Sequence, residues 1–242
     1  MPKKTLIITD VTKMSNDHVC IAGYDDSLTC IRPVLARGQI TKRHLFKEGE
    51  LVIFPGAKVA FDLGAQISQP PHVEDIIFEE ASIEAMGRVT VREWKEVLTQ
   101  TVTQNIAALF THIEERCVPP GSPGPSIGTI MPADMPTLNC DYYKDPPRPK
   151  MRFVDQGGIV KNNVPITDLA FRNLFDFYLE KYKGDCEKTV KLLNAKLADS
   201  RVSYLRLGLA RLFRGCCWLQ VNGIHTFPDL YDRNYAEWIR SD

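Results

Sequence analysis

The sequence predicts a β-rich α+β fold in which two small β-barrels are bridged by helices. Short runs rich in β-branched and aromatic residues fill residues 1–80, are separated by turn-forming residues, and return after residue 137. Between them the apolar spacing becomes helical, and residues 118–136 are dense in Pro and Gly. Five short strands within about eighty residues are typical of a small closed or half-closed barrel.

We divide the chain into an N-terminal barrel at 1–80, a helical segment with a Pro/Gly-rich linker at 81–136, and a C-terminal barrel with two inserted helices at 137–242. Thr90 and Glu93 have capping-box spacing, which starts the first predicted helix. A second helical stretch covers 103–110, and its continuation to Glu115 is left open. Thr167 or Asp168 caps a helix over 169–182, and another helix covers 186–197.

The composition limits the classes of function that this protein could have. Lys plus Arg number 30 and Asp plus Glu number 30, so net charge does not drive binding to nucleic acid or membranes, although local basic surfaces remain open. No apolar run reaches the roughly 18 residues of a transmembrane helix, and the seven cysteines lack paired CxxC spacing. We therefore expect a cytoplasmic protein with reduced thiols and no membrane partner. Common nucleotide-hydrolase, dinucleotide, zinc-protease and serine-hydrolase motifs are absent, so we expect no cofactor and no enzyme of those classes.

Two strands near the C-terminus carry leucines on one face and polar or aromatic residues on the other. The second face would display a set of stacking, cationic and amide side chains, namely Tyr204, Arg206, Trp218, Gln220 and Asn222. Aromatic rings stack bases, Arg neutralises phosphate and amides hydrogen-bond to base edges, which favours a nucleic-acid platform. The alternative is that this face forms the second wall of a core beneath the helices at 168–197.

Fragments along most of the chain resemble a prokaryotic family, the dual OB-containing domain family. They are CIAG at 20–23, IRPV at 31–34, PPHVED at 70–75, ITD at 166–168, LRLGLARL at 205–212, WLQVNGIH at 218–225 and FPD at 227–229. The resemblance implies two OB-like barrels and nucleic-acid binding in a prokaryotic defence setting, with other proteins of a defence complex as partners. Arg32 joins the expected contacts, while Cys30 stands where an aromatic residue is expected.

A basic loop follows the third predicted strand and carries Arg37, Lys42 and Arg43. In OB folds the loops between strands flank the binding groove, so these cations could follow a phosphate backbone. An ordinary solvated loop is the equally weighted alternative.

A second candidate site surrounds His72, which is close in sequence to Glu74 and Asp75, with Cys20 near it. An imidazole beside two carboxylates suits a divalent metal or a proton relay, and a thiol beside an Arg suits a nucleophile. We favour a hydrogen-bonded clamp and a packed thiol, and assign no metal ligand and no catalytic residue. The sequence thus predicts a DNA- or RNA-binding module. The alternatives are a small-ligand or metal-dependent sensor or enzyme at the His72 pocket, and a protein-interaction scaffold.

Overall fold

The computed structural model describes residues 2–142, 146–232 and 234–240, and its N-terminal half is a closed barrel of five strands. The strands of this half are β1 (Lys3–Lys13), β2 (Val19–Tyr24), β3 (Cys30–Leu35), β4 (Phe46–Lys47), β5 (Glu50–Leu51), β6 (Ala57–Gln66), β7 (Asp75–Phe78) and β8 (Glu84–Arg88). The ring runs β1-β2-β3-β7-β6 and closes by pairing β6 with β1, while β8 extends the sheet beyond β6. β3 and β7 are parallel, and the other pairs of the ring are antiparallel.

Alternating apolar residues build the interior of this barrel, because successive side chains of a strand point to opposite faces. The buried positions include Leu6, Ile8, Val19, Ile21, Val59 and Phe61. One close approach requires a glycine, since a Cβ at Gly23 would lie 2.5 Å from the carbonyl oxygen of Ile7. The predicted barrel in the first eighty residues or so is therefore confirmed as a closed five-strand barrel.

The C-terminal half is a half-barrel. Its strands are β9 (Cys117–Val118), β10 (Ile127–Ile130), β11 (Thr137–Asp141), β12 (Arg148–Val154), β13 (Val160–Pro165), β14 (Val202–Leu209) and β15 (Cys217–Phe227). One sheet has the order β10-β14-β15-β9 and the other β11-β12-β13, and a bridge between Ile166 and Val221 connects them. The second predicted barrel is thus only half closed. The region predicted as helices and linker also supplies strands, because β8, β9 and β10 all lie within it.

Five helices complete the part of the chain that the structure describes: α1 (Val91–Gln100), α2 (Ile106–Leu109), α3 (Leu169–Lys181), α4 (Cys186–Ala198) and α5 (Tyr235–Arg240). The predicted capping box of Thr90 and Glu93 is present at α1, and Asp168 caps α3 by accepting a hydrogen bond from the Phe171 N–H. The helix predicted at 103–110 is shorter in the structure, and it does not continue to Glu115, because α2 spans a single turn. Among these described residues no helix has the length and apolar character needed to cross a bilayer.

The cysteines differ from the expectation of free thiols. Disulfides join Cys117 to Cys216 and Cys140 to Cys186, whereas Cys20, Cys30 and Cys217 are free. The bonded partners are separated by 99 and 46 residues, so spacing along the sequence gave no sign of the pairing.

Candidate binding cleft between the barrel and the half-barrel

Arg206, a member of the predicted platform, lies inside the protein with 0% of its surface exposed. Its Nη2 is 2.8 Å from Asp10 Oδ2, and its Nη1 donates to Tyr24 Oη at 2.6 Å and to Thr129 Oγ1 at 2.9 Å. Burial alone would lower the pKa of Arg206, but Asp10 and Tyr24 raise it well above its ordinary value. Arg206 therefore joins the barrel strands β1 and β2 to the half-barrel strands β10 and β14.

Tyr204 is also buried, with 3% of its surface exposed, and its hydroxyl is 2.7 Å from Thr99 Oγ1 on α1. The prediction of an open face is therefore wrong for Tyr204 and Arg206, and the second-wall alternative describes them. The elements that bury these two side chains, however, are the N-terminal barrel and α1 rather than the helices at 168–197. Cys30 borders the same region, because its Sγ accepts a hydrogen bond from Arg206 Nη2 at 3.6 Å. Burial raises the pKa of this thiol to about 12.

A cleft of about 630 Å³ opens between the two halves of the molecule. One wall is formed by β2 and β3, the β1–β2 loop and the β6–β7 loop, and the other by the ends of β14 and β15. The cleft brings together residues from both predicted sites, and the lining includes Cys20, Arg32, Asp75, Gln220 and Asn222. Residues that were predicted to serve different functions therefore surround one space.

Asp75 holds two arginines in this cleft. Its Oδ1 accepts a hydrogen bond from Arg32 Nε, and its Oδ2 accepts one from Arg211 Nη2 at 2.5 Å. Arg32 is 4% exposed, whereas half of the Arg211 side chain is exposed. Arg32, Asp75 and Arg211 form a triad with one net positive charge, because two guanidinium groups share one carboxylate. Arg32 Nη2 is buried without a hydrogen-bond partner among the described residues, so a ligand oxygen that reached it would satisfy a costly unpaired donor.

Amide side chains supply the polar surface of the second wall. The Asn222 amide is fixed in place because its Oδ1 accepts a hydrogen bond from Thr167 Oγ1 at 3.0 Å. A Cβ at Gly208 would lie 2.0 Å from Asn222 Nδ2, so only glycine leaves room for this amide. Gln220 is half-buried in the cleft, and Gln39 and Gln69 line it from the barrel side. These groups offer both donors and acceptors to a ligand.

Glu74 and His72 do not line the cleft. Glu74 Oε1 accepts hydrogen bonds from the N–H groups of Ser126 and Ile127 at 2.6 and 3.1 Å, and Oε2 accepts one from Ser126 Oγ at 2.7 Å. Glu74 is therefore a clamp between the barrel and β10. The sequence analysis gave the role of a clamp to His72 and Asp75, and Asp75 does hydrogen-bond to Arg32 of the barrel and to Arg211 of the half-barrel. The pKa of His72 is lowered to about 4, mainly by burial and then by Arg32.

The residues of the second predicted site are not all in one place, because Cys20 and Asp75 line the cleft and His72 and Glu74 do not. Within the described ranges no cluster of His, Cys, Asp and Glu has the geometry to hold a metal ion. Burial raises the pKa of the Cys20 thiol, although nearby Arg32 lowers it in part, so Cys20 is a lining group in its neutral form.

The basic loop does not bring its cations to the cleft. Lys42 Nζ is 3.9 Å from Asp17 Oδ1, Arg43 Nη2 is 3.9 Å from Glu80 Oε1, and Arg37 is exposed. Residues 38–40 of the same loop line the cleft instead. Trp218 also lies outside the cleft, where its Nε1 donates to the carbonyl oxygen of Phe213 at 2.9 Å.

Sequence reasoning did not single out Arg211 as a site residue, although it lies in a stretch at 201–214 that contains four arginines and no acidic residue. That stretch was the available signal. A scan against protein-family models finds no match to this chain, and a search of curated proteins finds none.

The burial of His225 predicts that the stability of the fold depends on pH. Its Nε2 is 2.9 Å from the Thr9 carbonyl oxygen, which requires an Nε2–H donor, and burial lowers its pKa to about 4. Because the folded-state pKa lies below the unfolded value of about 6.5, the unfolded chain binds the extra proton more readily and stability falls as the pH falls toward 4. Through this proton, His225 should lower the free energy of unfolding by about 2 kcal/mol when the pH falls from 7 to 5.

Urea unfolding of the wild type and His225→Gln at the two pH values tests this contribution. The glutamine can still donate to Thr9 but does not titrate, so its loss of stability on acidification should be smaller by that amount. The exposed His112→Asn is the matched control. Equal losses in the wild type and His225→Gln would contradict the assignment.

Proposed function

We propose that the cleft binds nucleic acid, either DNA or RNA. The observation that carries the proposal is the position of the cleft on the β2–β3 face of a closed five-strand barrel, between the β1–β2 loop and the β6–β7 loop. β6 and β7 are the fourth and fifth strands of the ring in chain order. OB folds bind oligonucleotides on the face of their second and third strands, between the equivalent two loops.

The architecture supports an OB-like interpretation of the barrel. A five-stranded ring with a groove at this face is the arrangement of OB folds, and the half-barrel would be a partial second copy. This interpretation agrees with the resemblance to the dual OB-containing domain family. The prokaryotic defence setting and its partner proteins rest on that resemblance alone.

The chemistry of the lining suits a nucleic-acid strand. Arg211, half-exposed at the cleft, can exchange part of its contact with Asp75 for a phosphate oxygen, and the triad already carries a net positive charge. Gln220 and Asn222 can hydrogen-bond to base edges. Zero net charge of the whole chain does not oppose this, because the field that a strand meets is the local one.

Fluorescence anisotropy with labelled single-stranded DNA, single-stranded RNA and duplexes tests the proposal at low and near-physiological salt. We expect binding that weakens with salt, and a loss of about tenfold in affinity together with a salt slope reduced by about 1 for Arg211→Ala. The control is Arg92→Ala, which removes an exposed arginine that also pairs with a carboxylate but does not line the cleft. Unchanged binding by Arg211→Ala would contradict this site.

A small polar ligand is the second candidate, and the size of the cleft favours it. Its volume of about 630 Å³ falls within the range of roughly 300–1,000 Å³ typical of small-molecule sites. Thermal shift measurements with mononucleotides and with oligonucleotides separate the two candidates. A mononucleotide that stabilises the protein as much as an oligonucleotide would favour the small-ligand function.

A further inference from the structure

The connection between β14 and β15 is a tight hairpin that presents apolar side chains to solvent. Leu212 and Phe213 are each 60% exposed. Arg214 and Gly215 have φ angles of 52° and 78° and form the turn, which Phe213 and Cys216 close by two backbone hydrogen bonds of 2.9 and 3.2 Å. We call residues 210–216 the tip hairpin.

Several contacts hold the tip hairpin in this exposed position. Trp218 Nε1 donates to the Phe213 carbonyl oxygen at 2.9 Å, and the disulfide of Cys216 anchors the base of the hairpin to Cys117. The Arg214 guanidinium lies 5.3 Å from the centre of the Phe213 ring. The hairpin is therefore built to present Phe213 rather than to bury it. Leu212, Phe213 and Trp218 are all exposed in this one part of the chain, and contiguous exposed apolar groups occur at interaction sites.

The tip hairpin is continuous with the cleft. Arg211 belongs to the hairpin and also lines the cleft. On β15, Trp218 precedes Gln220 by two residues on the same strand face, so the row of side chains runs from the cleft toward the hairpin at a spacing of about 7 Å. A ligand that leaves the cleft on this side meets Trp218 and Phe213 next.

Charge favours a polyanion as the occupant of this surface. Residues 200–228 contain Arg201, Arg206, Arg211 and Arg214 but no Asp or Glu. Arg206 is buried, which leaves the arginines of the tip hairpin beside exposed aromatic rings. Aromatic side chains next to a cationic groove are the combination that binds unpaired bases of single strands.

We infer that the tip hairpin stacks the bases of a single strand that extends out of the cleft, through Phe213 and Trp218 and with Leu212 beside them. The inference rests on the proposed function, and it specifies the ligand as an unpaired strand longer than the cleft holds. A duplex does not meet this requirement, because its bases are already paired and stacked on one another.

Anisotropy with oligothymidylates and oligouridylates of about 4 and about 12 nucleotides tests the inference. Phe213→Ala and Leu212→Ala remove exposed side chains, so both variants should melt like the wild type. Phe213→Ala should lower the affinity for the longer strand by about tenfold and leave the shorter strand nearly unaffected. Phe177→Ala, which truncates an exposed phenylalanine on α3, is the control and should bind both lengths like the wild type.

The outcomes separate this inference from the proposed function. If Phe213→Ala binds the longer strand as tightly as Phe177→Ala does, the stacking role is overturned and the cleft proposal still stands. A duplex of the same length that binds as tightly as the single strand would also overturn it. Self-association that is lost in Phe213→Ala while oligonucleotide affinity is unchanged would assign the hairpin to a second copy of the chain instead. Absence of binding at either length, even at low salt, would overturn both proposals.

Discussion

Replacing Arg206 with methionine is expected to lower the free energy of unfolding by about 3–5 kcal/mol. The methionine removes the positive charge that compensates Asp10, which is 1% exposed and therefore shielded from bulk solvent. It also leaves the Tyr24 and Thr129 hydroxyls without their shared donor. Urea unfolding followed by circular dichroism measures the change.

The double variant Asp10→Asn with Arg206→Met separates the buried charge from the lost packing. Because both charges are then absent, it should be about 2 kcal/mol more stable than Arg206→Met alone. Arg92→Met, which breaks an exposed ion pair with Glu96, is the matched control and should behave like the wild type. A double variant that is less stable than Arg206→Met would contradict the burial of this pair.

The second large effect is expected at Glu74. Glu74→Ala should lower the free energy of unfolding by about 3 kcal/mol, because it leaves the buried N–H groups of Ser126 and Ile127 and the Ser126 hydroxyl without their acceptor. Glu74→Gln keeps one acceptor oxygen and should lose less. The same unfolding measurement tests both variants.

Glu79→Ala provides the comparison for Glu74, since it removes an exposed carboxylate from the same part of the chain. It should leave stability nearly unchanged. If Glu74→Ala were as stable as Glu79→Ala, the clamp between the barrel and β10 would not exist.

Arg206 and Glu74 both hold the two halves together, so loss of binding in their variants would report a disrupted cleft rather than a lost contact. The binding tests therefore use exposed residues.

Local signals predicted the parts of the fold that depend on neighbours in sequence. The capping box at Thr90 and Glu93 was predicted correctly, and of the two predicted caps of α3, Thr167 and Asp168, the structure uses Asp168. Side chains within a few residues determine such caps. Short strands at close spacing predicted a barrel in the first half and left open whether it was closed or half-closed; the structure shows that it is closed.

The platform at Tyr204 and Arg206 could not be assigned from sequence. Alternation on β14 gives two distinct faces, but it does not say whether solvent or another element covers the polar one. The partner that covers Arg206 is Asp10, which is 196 residues away. A large separation in sequence also explains why Asp75 and Gln220 were assigned to two different sites and not to one cleft.

Photocross-linking tests most directly whether nucleic acid occupies the cleft. The wild-type chain would be irradiated with bromouridine- and bromodeoxyuridine-substituted single strands, and the cross-linked peptides identified by mass spectrometry. We expect cross-links in β2, in β3 and in residues 209–222, on the two walls of the cleft and the tip hairpin. Cross-links confined to other surfaces, such as the basic loop at Arg37, Lys42 and Arg43 or the helices α3 and α4, would contradict binding in the cleft.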